Sequence, residues 1–183
     1  MEPEEVAAAF EHLEQAGKVR HFGVSNQNPM MMELLKTAVK QPLKVNQLQL
    51  SAAFTPSFEA GFHVNMEGPK AAVRDGSVFE YCRLTDTVIQ AWSVLQHGYF
   101  KGNFVGKEEF AALNHVLNDL AKKYQVTPTA IALAWVLRYP GKMQAVIGTT
   151  KPQHVLEAGK AATVTLTRKE WYQIYLAAGN DLP

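Results

Sequence analysis

GKVRHFGVSN, residues Gly17 to Asn26, is a short apolar run set between two helical patterns. Upstream, Val6, Phe10 and Leu13 recur at helical spacing, with Ala9 and Ala16 beside them. Pro3 suits a first helical turn, Glu4 and Glu5 suit its dipole, and Gly17 suits the C-terminal cap. Val19 to Asn26 then reads as a buried strand with a small polar exit. Downstream, Asn28-Pro29 has the form of an N-cap and first helical residue, and Met31, Leu34, Leu35 and Ala38 supply the next apolar stripe.

The same unit recurs along the chain. Further strands are expected at Lys44 to Ser51, Thr87 to Leu95 and Gln144 to Thr150. Helices are expected over Val78 to Leu84, Glu108 to Tyr124 and Pro128 to Tyr139, the last opened by Thr127-Pro128. Thr150 with Gln153, and Thr167 with Glu170, have the spacing of capping boxes for two more helices. Residues Thr55 to Ser77 are rich in Gly, Pro and charge and read as an irregular excursion. Strand–helix alternation with near-continuous apolar strands argues for an α/β fold with a parallel sheet covered by helices. Nothing divides the chain, so residues 1–183 are read as a single domain.

Composition narrows the classes of function. Eighteen basic side chains oppose seventeen acidic ones among 183 residues, so no broad basic field awaits nucleic acid. A single cysteine, Cys82, excludes an intrachain disulfide framework and a thiolate-rich zinc site. It sits in helical EYCRL and is expected to be inert. No apolar run approaches the roughly 20 residues that span a bilayer, and the acidic MEPEEVAAAF opening lacks a signal peptide's basic region. A cytoplasmic setting, with no membrane partner, is the expectation. No G-x-G-x-x-G, Walker-A, H-E-x-x-H or G-x-S-x-G pattern occurs.

Ligands of parallel α/β folds collect at the carboxyl ends of the strands. Here those ends carry Ser25-Asn26, Asn46-Gln47, Trp92-Ser93 and Gly148-Thr149-Thr150. Amides and hydroxyls with no thiol or carboxylate cluster suit a neutral amide or a phosphate, not hydrolysis. Ser25, Asn26 and Thr150 equally suit ordinary capping, and Trp92 equally suits a core. Gln47 is less easily explained as core, because a buried amide needs partners. Lys151 and His154, in the first turns of the helix after Thr150, add cationic character to an anion-binding arrangement.

These segments, in this order, resemble the aldo-keto reductase family. Gly17 to Asn26 is similar to its internal signature, and Asn46-Gln47, Ala91-Trp92-Ser93 and Val146-Ile147-Gly148-Thr149-Thr150 follow at its approximate spacing. The ending from Thr167 to Gly179 resembles one bacterial subgroup of these NADP-dependent oxidoreductases. The resemblance implies a (β/α)8 TIM barrel, here its last four strand–helix units, and an NADP(H)-dependent carbonyl oxidoreductase, with NAD also compatible. By matching position, Ser25, Asn26 and Gln47 hold the nicotinamide carboxamide and Trp92 stacks on the ring. Ser93, Leu95 and the loop at Gly98 follow the pyrophosphate. Gly148, Thr149, Thr150, Lys151 and His154 meet the adenosine phosphate end.

The departures from the family carry expectations of their own. The matched region begins after the family's fourth strand, so its catalytic Asp, Tyr, Lys and His have no counterpart here, and no catalytic residue is assigned. His154 stands where many members carry arginine, Ala158 where asparagine is common, and Val94 where proline is common. The leading expectation is a truncated, inactive reductase that keeps most of the cofactor cradle. The alternatives are a non-catalytic nucleotide-binding or regulatory module, or an inert truncation product. The substrate partner of a complete enzyme is a small-molecule carbonyl compound. A half barrel should also expose two sheet edges and the inner strand faces, with Val24, Leu48 and Ile89 expected on those faces. Self-association through the edges follows.

Overall fold

Each short apolar run of the sequence pairs with the next. Four parallel strands form one sheet in the order β1-β2-β3-β4. They are β1 (Phe22–Ser25), β2 (Leu43–Gln49), β3 (Val88–Trp92) and β4 (Met143–Ala145). The structure is a computed structural model and describes residues 2–57, 77–98 and 101–181. Helix α1 (Pro3–Gln15) precedes β1, and α2 (Pro29–Lys36) links it to β2. Helix α3 (Val78–Leu84) leads into β3, and α4 (Ala111–Tyr124) and α5 (Pro128–Leu137) separate β3 from β4. After β4 come α6 (Pro152–Gly159) and α7 (Arg168–Ala177). Sequential parallel strands joined by helices are the repeating unit of an α/β barrel. Most of the expected irregular excursion, residues 58–76, lies outside the described residues.

The capping signals were mostly legible. Asn28 Oδ1 accepts from Met31 N at 2.9 Å, and Thr127 Oγ1 from Ala130 N at 3.2 Å. Gly17, at φ +66°, closes α1: its N–H reaches Glu14 O and the Lys18 N–H reaches Leu13 O. The expected box at Thr150 and Gln153 does not form. Lys151 is the N-cap of α6 and no side chain caps it. Gln153 Nε2 donates instead to Glu157 at 3.1 Å, and Thr149 Oγ1 accepts from Lys151 N at 3.2 Å. Of the stripe expected on α2, Leu35 is buried, but Met31 and Leu34 are exposed and Met32 and Val39 are buried in their place. The helix expected from Glu108 begins as a 3-10 turn, Glu108–Phe110.

The strands are shorter than expected. The fourth, read as Gln144 to Thr150, is regular only over Met143–Ala145, with a last bond from Val146 N to Ala91 O. Its neighbour β3 ends at Trp92, and Ser93 turns away at φ +52°, so nothing remains to pair with Gly148 to Thr150. The first strand likewise stops at Ser25, because Asn26 takes the left-handed region at φ +53°, which Asn tolerates better than most residues.

The two faces of the sheet differ sharply. Between Phe22 and Gly23 the register slips, so Phe22 pairs with Leu43 but Gly23 pairs with Val45. The slip lets Phe22 and Leu43 bury among the helices while Val45 and Gln47 face the other way. Only glycine fits at residue 23, since a Cβ there would lie 2.7 Å from Val45 Cβ and O. Val24, Leu48 and Ile89 do not occupy the inner face as expected. Leu48 and Ile89 lie in the main core with Phe79, Leu113 and Leu117, and Val24 packs on the cluster of Met32, Leu35, Val39 and Leu43. Strand alternation then leaves Gly23, Ser25, Val45, Gln47, Val88, Gln90 and Gln144 on the opposite, open face.

Two contacts hold the C-terminal helix to the body. Trp135 and Trp171 stack at 4.9 Å, and each indole N–H donates to the other residue's carbonyl, at 3.0 and 3.1 Å. Beside them, buried Glu170 completes the predicted capping box with Thr167 and accepts from Lys123 Nζ at 2.6 Å and Tyr124 Oη at 2.8 Å. Burial opposes its charge, but hydrogen bonds from Lys123, Thr167 and Tyr124 outweigh that and hold its carboxyl down at about 2. A carboxylate depressed on folding stabilises above the usual glutamate range, and that stability is lost as pH falls through the folded value. Urea midpoints of the protein should therefore fall between about pH 5 and pH 2, with a loss on the order of 2–3 kcal/mol. Glu170→Gln should start less stable and lose less over that window. Parallel pH profiles for the two proteins would rule out this source.

Candidate functional site

The carboxyl ends of the strands shape two openings. The first is a cleft of about 430 Å³ between the segment after β3 and the start of α6. Its walls include Ser93, Leu95, Gly148, Thr149 and His154, five of the residues expected from the sequence. Thr149 Oγ1 lies 3.4 Å from His154 Nδ1, so a hydroxyl and an imidazole sit together at the mouth of α6. Space is open around the position a Cβ would take at Gly148, which leaves its backbone approachable. Gln96, also on the wall, holds a buried Oε1 with no hydrogen-bond partner among the described residues. Such an acceptor is costly unless a ligand or water meets it.

The second opening is a shallow groove of about 420 Å³ on the open face of the sheet, lined by His21 to Ser25, Val45, Gln47 and Gln90. Ser25 Oγ donates to the Gln47 carbonyl at 3.1 Å, and Asn26 N–H donates to the same oxygen at 2.9 Å. The ends of β1 and β2 are thereby locked together, which places Ser25, Asn26 and Gln47 as one unit. Trp92 stands one layer along, in register with Gln49. Asn46, next to Gln47, points the opposite way. It is fully buried, and its Nδ2 donates to Gln27 O at 2.8 Å, pinning the loop after β1.

Not every expected residue joins an opening. Asn26, Thr150 and Lys151 are exposed and line neither, and half-buried Trp92 lines neither as well. Gly98 also lines neither; its carbonyl accepts from Lys101 N, and a Cβ there would meet the Lys101 side chain at 2.9 Å. Sequence reading missed Gln96, Asn103, Thr129 and Glu157, which share the cleft wall. Gln96 lies between Leu95 and Gly98 and Glu157 three residues after His154, close in sequence to residues already named, whereas Asn103 and Thr129 are remote and only tertiary packing brings them in. Cys82 is buried, and burial pushes its thiol up to about 11, so it has no thiolate character at neutral pH. No helix among the described residues is long and apolar enough to cross a membrane.

The fold is shared with known proteins. The sequence profile of the Aldo/keto reductase family matches residues 1–177. Oxidoreductase YdhF of Escherichia coli is 33% identical over all of this chain and 55% of its own length. The 6-dehydroglucose reductase of Agrobacterium fabrum is 32% identical over all of this chain and 54% of its own length. The chain thus spans about half the length of the curated relatives it matches. Among solved structures, a thermostable aldo-keto reductase in complex with epalrestat superposes with a TM-score of 0.71 at 20% identity, covering 97% of this chain and 55% of that one. The aldose reductase of Schistosoma japonicum gives 0.69 at 15% identity, over 99% and 49%. The four-stranded sheet is accordingly part of a TIM-type barrel, and the chain belongs to the aldo/keto reductase family of oxidoreductases.

Proposed function

We propose that this chain forms the cofactor-binding side of an NAD(P)H-dependent carbonyl oxidoreductase and lacks the family's proton-transfer residues. One observation carries the reading: the cleft that joins Ser93 and Leu95 to Gly148, Thr149 and His154 at the start of α6. A dinucleotide needs a polar wall for its phosphates and an approachable backbone, and the hydroxyls, the imidazole and open Gly148 fit that need. The unpartnered Gln96 Oε1 adds an acceptor for a ribose hydroxyl or an amide. When bound, the nicotinamide supplies the hydride. Ser25, Asn26 and Gln47 hold its carboxamide, and Trp92 fixes the face of the ring. Such positioning decides which hydrogen is offered. The substrate is a small carbonyl compound, and the remaining wall of its site comes from outside these residues.

Titration calorimetry with NADP+ and NAD+ tests the reading. Saturable binding of at least one, weakened about tenfold or more by Trp92→Ala, is expected. No heat with either nucleotide, from a chain that melts cooperatively, would sink it. The preference between nucleotides should respond to residue 154. Arginine presents a permanent charge in a planar fork suited to phosphate, which imidazole does not. His154→Arg should tighten NADP+ by about tenfold, equivalent to about 1.4 kcal/mol, and leave NAD+ unchanged. Equal tightening of both nucleotides would remove His154 from the 2′-phosphate.

A further inference from the structure

We infer that Gln90 and Gln144 are positioning residues that decide which end of the Gln47 amide faces the groove. The inference rests on the proposed reading of Gln47 as a contact to the nicotinamide carboxamide. Its basis is a row of side chains across the open face of the sheet. Ser25, Gln47, Gln90 and Gln144 are direct register partners on β1, β2, β3 and β4. Along this row Gln47 Nε2 donates to Gln90 Oε1 at 3.3 Å, and Gln90 Nε2 donates to Gln144 Oε1 at 2.8 Å. Both bonds run in one sense, from β2 toward β4.

A glutamine amide has one donor end and one acceptor end of nearly equal size. Packing alone does not distinguish them; a hydrogen-bonded neighbour does. In the row, Gln90 presents its oxygen to Gln47 because its own nitrogen is committed to Gln144. Gln47 must then turn its nitrogen toward β3, which leaves Oε1 for the groove lined by Ser25 and Val24. No donor among the described residues takes that oxygen. The Gln47 main chain is already pinned by Ser25 Oγ and Asn26 N, so the amide end is the part left to be set. An acceptor in that place recognises the N–H₂ of a primary carboxamide and not its carbonyl.

The test is a ratio of affinities, measured on the full chain by calorimetry. The probes are NADP+ and its 3-acetylpyridine analogue, in which a methyl group replaces the carboxamide N–H₂. The native chain should prefer NADP+ by about fivefold, the size of one net hydrogen bond. Gln90→Leu cuts the row, and the ratio should fall to about 1. Gln90→Glu keeps an acceptor toward Gln47 and should keep the ratio. Gln144→Leu, at an exposed position that the fold does not depend on, should lower it about twofold. A general loss of fold weakens both probes together and leaves the ratio alone. An unchanged ratio in Gln90→Leu, or in Gln144→Leu should Gln90→Leu fail to fold, overturns the inference while the cofactor reading stands. A native chain that binds NADP+ without preferring it over the analogue overturns the inference and the role of Gln47 together. One that binds neither overturns the cofactor reading as well.

Discussion

Incubated with NADPH and a panel of aldehydes, ketones and quinones, the purified chain is expected to reduce none of them above a buffer control. Hydride addition to a carbonyl leaves an alkoxide that must be protonated, and a positioned general acid contributes roughly 10²–10⁴-fold. The open face beside Trp92 offers Gln47, Gln49 and Gln90, whose amides are no acids, and the groove's one imidazole, His21, precedes β1 at the opposite, amino-terminal end of the strand. The described tyrosines are engaged elsewhere. The Tyr81 hydroxyl meets Glu33 and Lys36 on the helical side, and Tyr124 donates to Glu170. Tyr139 packs edge-on against Phe79, and burial pushes its hydroxyl pKa up. Tyr175 is stacked under Trp171 in the core. His154 lies with Thr149 at the start of α6, in the cleft and not on the open face. Positioning without a proton donor gives a binding site and not a catalyst. Steady NADPH consumption that depends on a carbonyl compound and disappears in Trp92→Ala would overturn this expectation.

Much of this arrangement was legible in the sequence, and the misses share one physical cause. Caps report local hydrogen bonds, so Asn28, Thr127 and the pair Thr167–Glu170 could be read from spacing alone. The order of apolar runs was enough for a parallel sheet. The failures came where a partner strand or a packed neighbour decides. Strand β4 ends at Ala145 because β3 has no more backbone to offer, and no residue between 146 and 150 announces that. Leu48 and Ile89 were placed on the wrong face because a near-continuous apolar run hides its alternation, and the slip at Gly23 shifts the register besides. The site followed the same rule. Ser25, Gln47 and Thr149, read from motifs, line the two openings, whereas Asn103 and Thr129 on the cleft wall needed the folded chain.

Correct placement of the two faces changes what the isolated chain should do in solution. The open face carries amides, a hydroxyl, two valines and half-buried Trp92, so bare inner apolar surface is a smaller liability than the sequence suggested. The edges remain. Among the described residues, strands β1 and β4 each have one neighbour in the sheet and carry unpaired backbone groups on the other side. Beyond β4, Val146, Val155 and Leu156 are exposed together, and neither α1 nor α6 contains a fully buried residue. Burying several hundred Å² of such apolar surface, at about 25 cal/mol per Å², is worth on the order of 10 kcal/mol, comparable with the stability of a whole domain. The purified chain should therefore self-associate at tens of micromolar and melt broadly. Val146→Lys with Leu156→Lys places two charges along the β4 side and should shift sedimentation toward monomer by tenfold or more in apparent association constant. The same pair of changes at exposed Leu84 and Leu176, remote from that edge, should not. A native chain that sediments as a monomer at these concentrations and melts cooperatively above about 65 °C, beyond the usual mesophile range, would mean that the edges are closed within the chain itself.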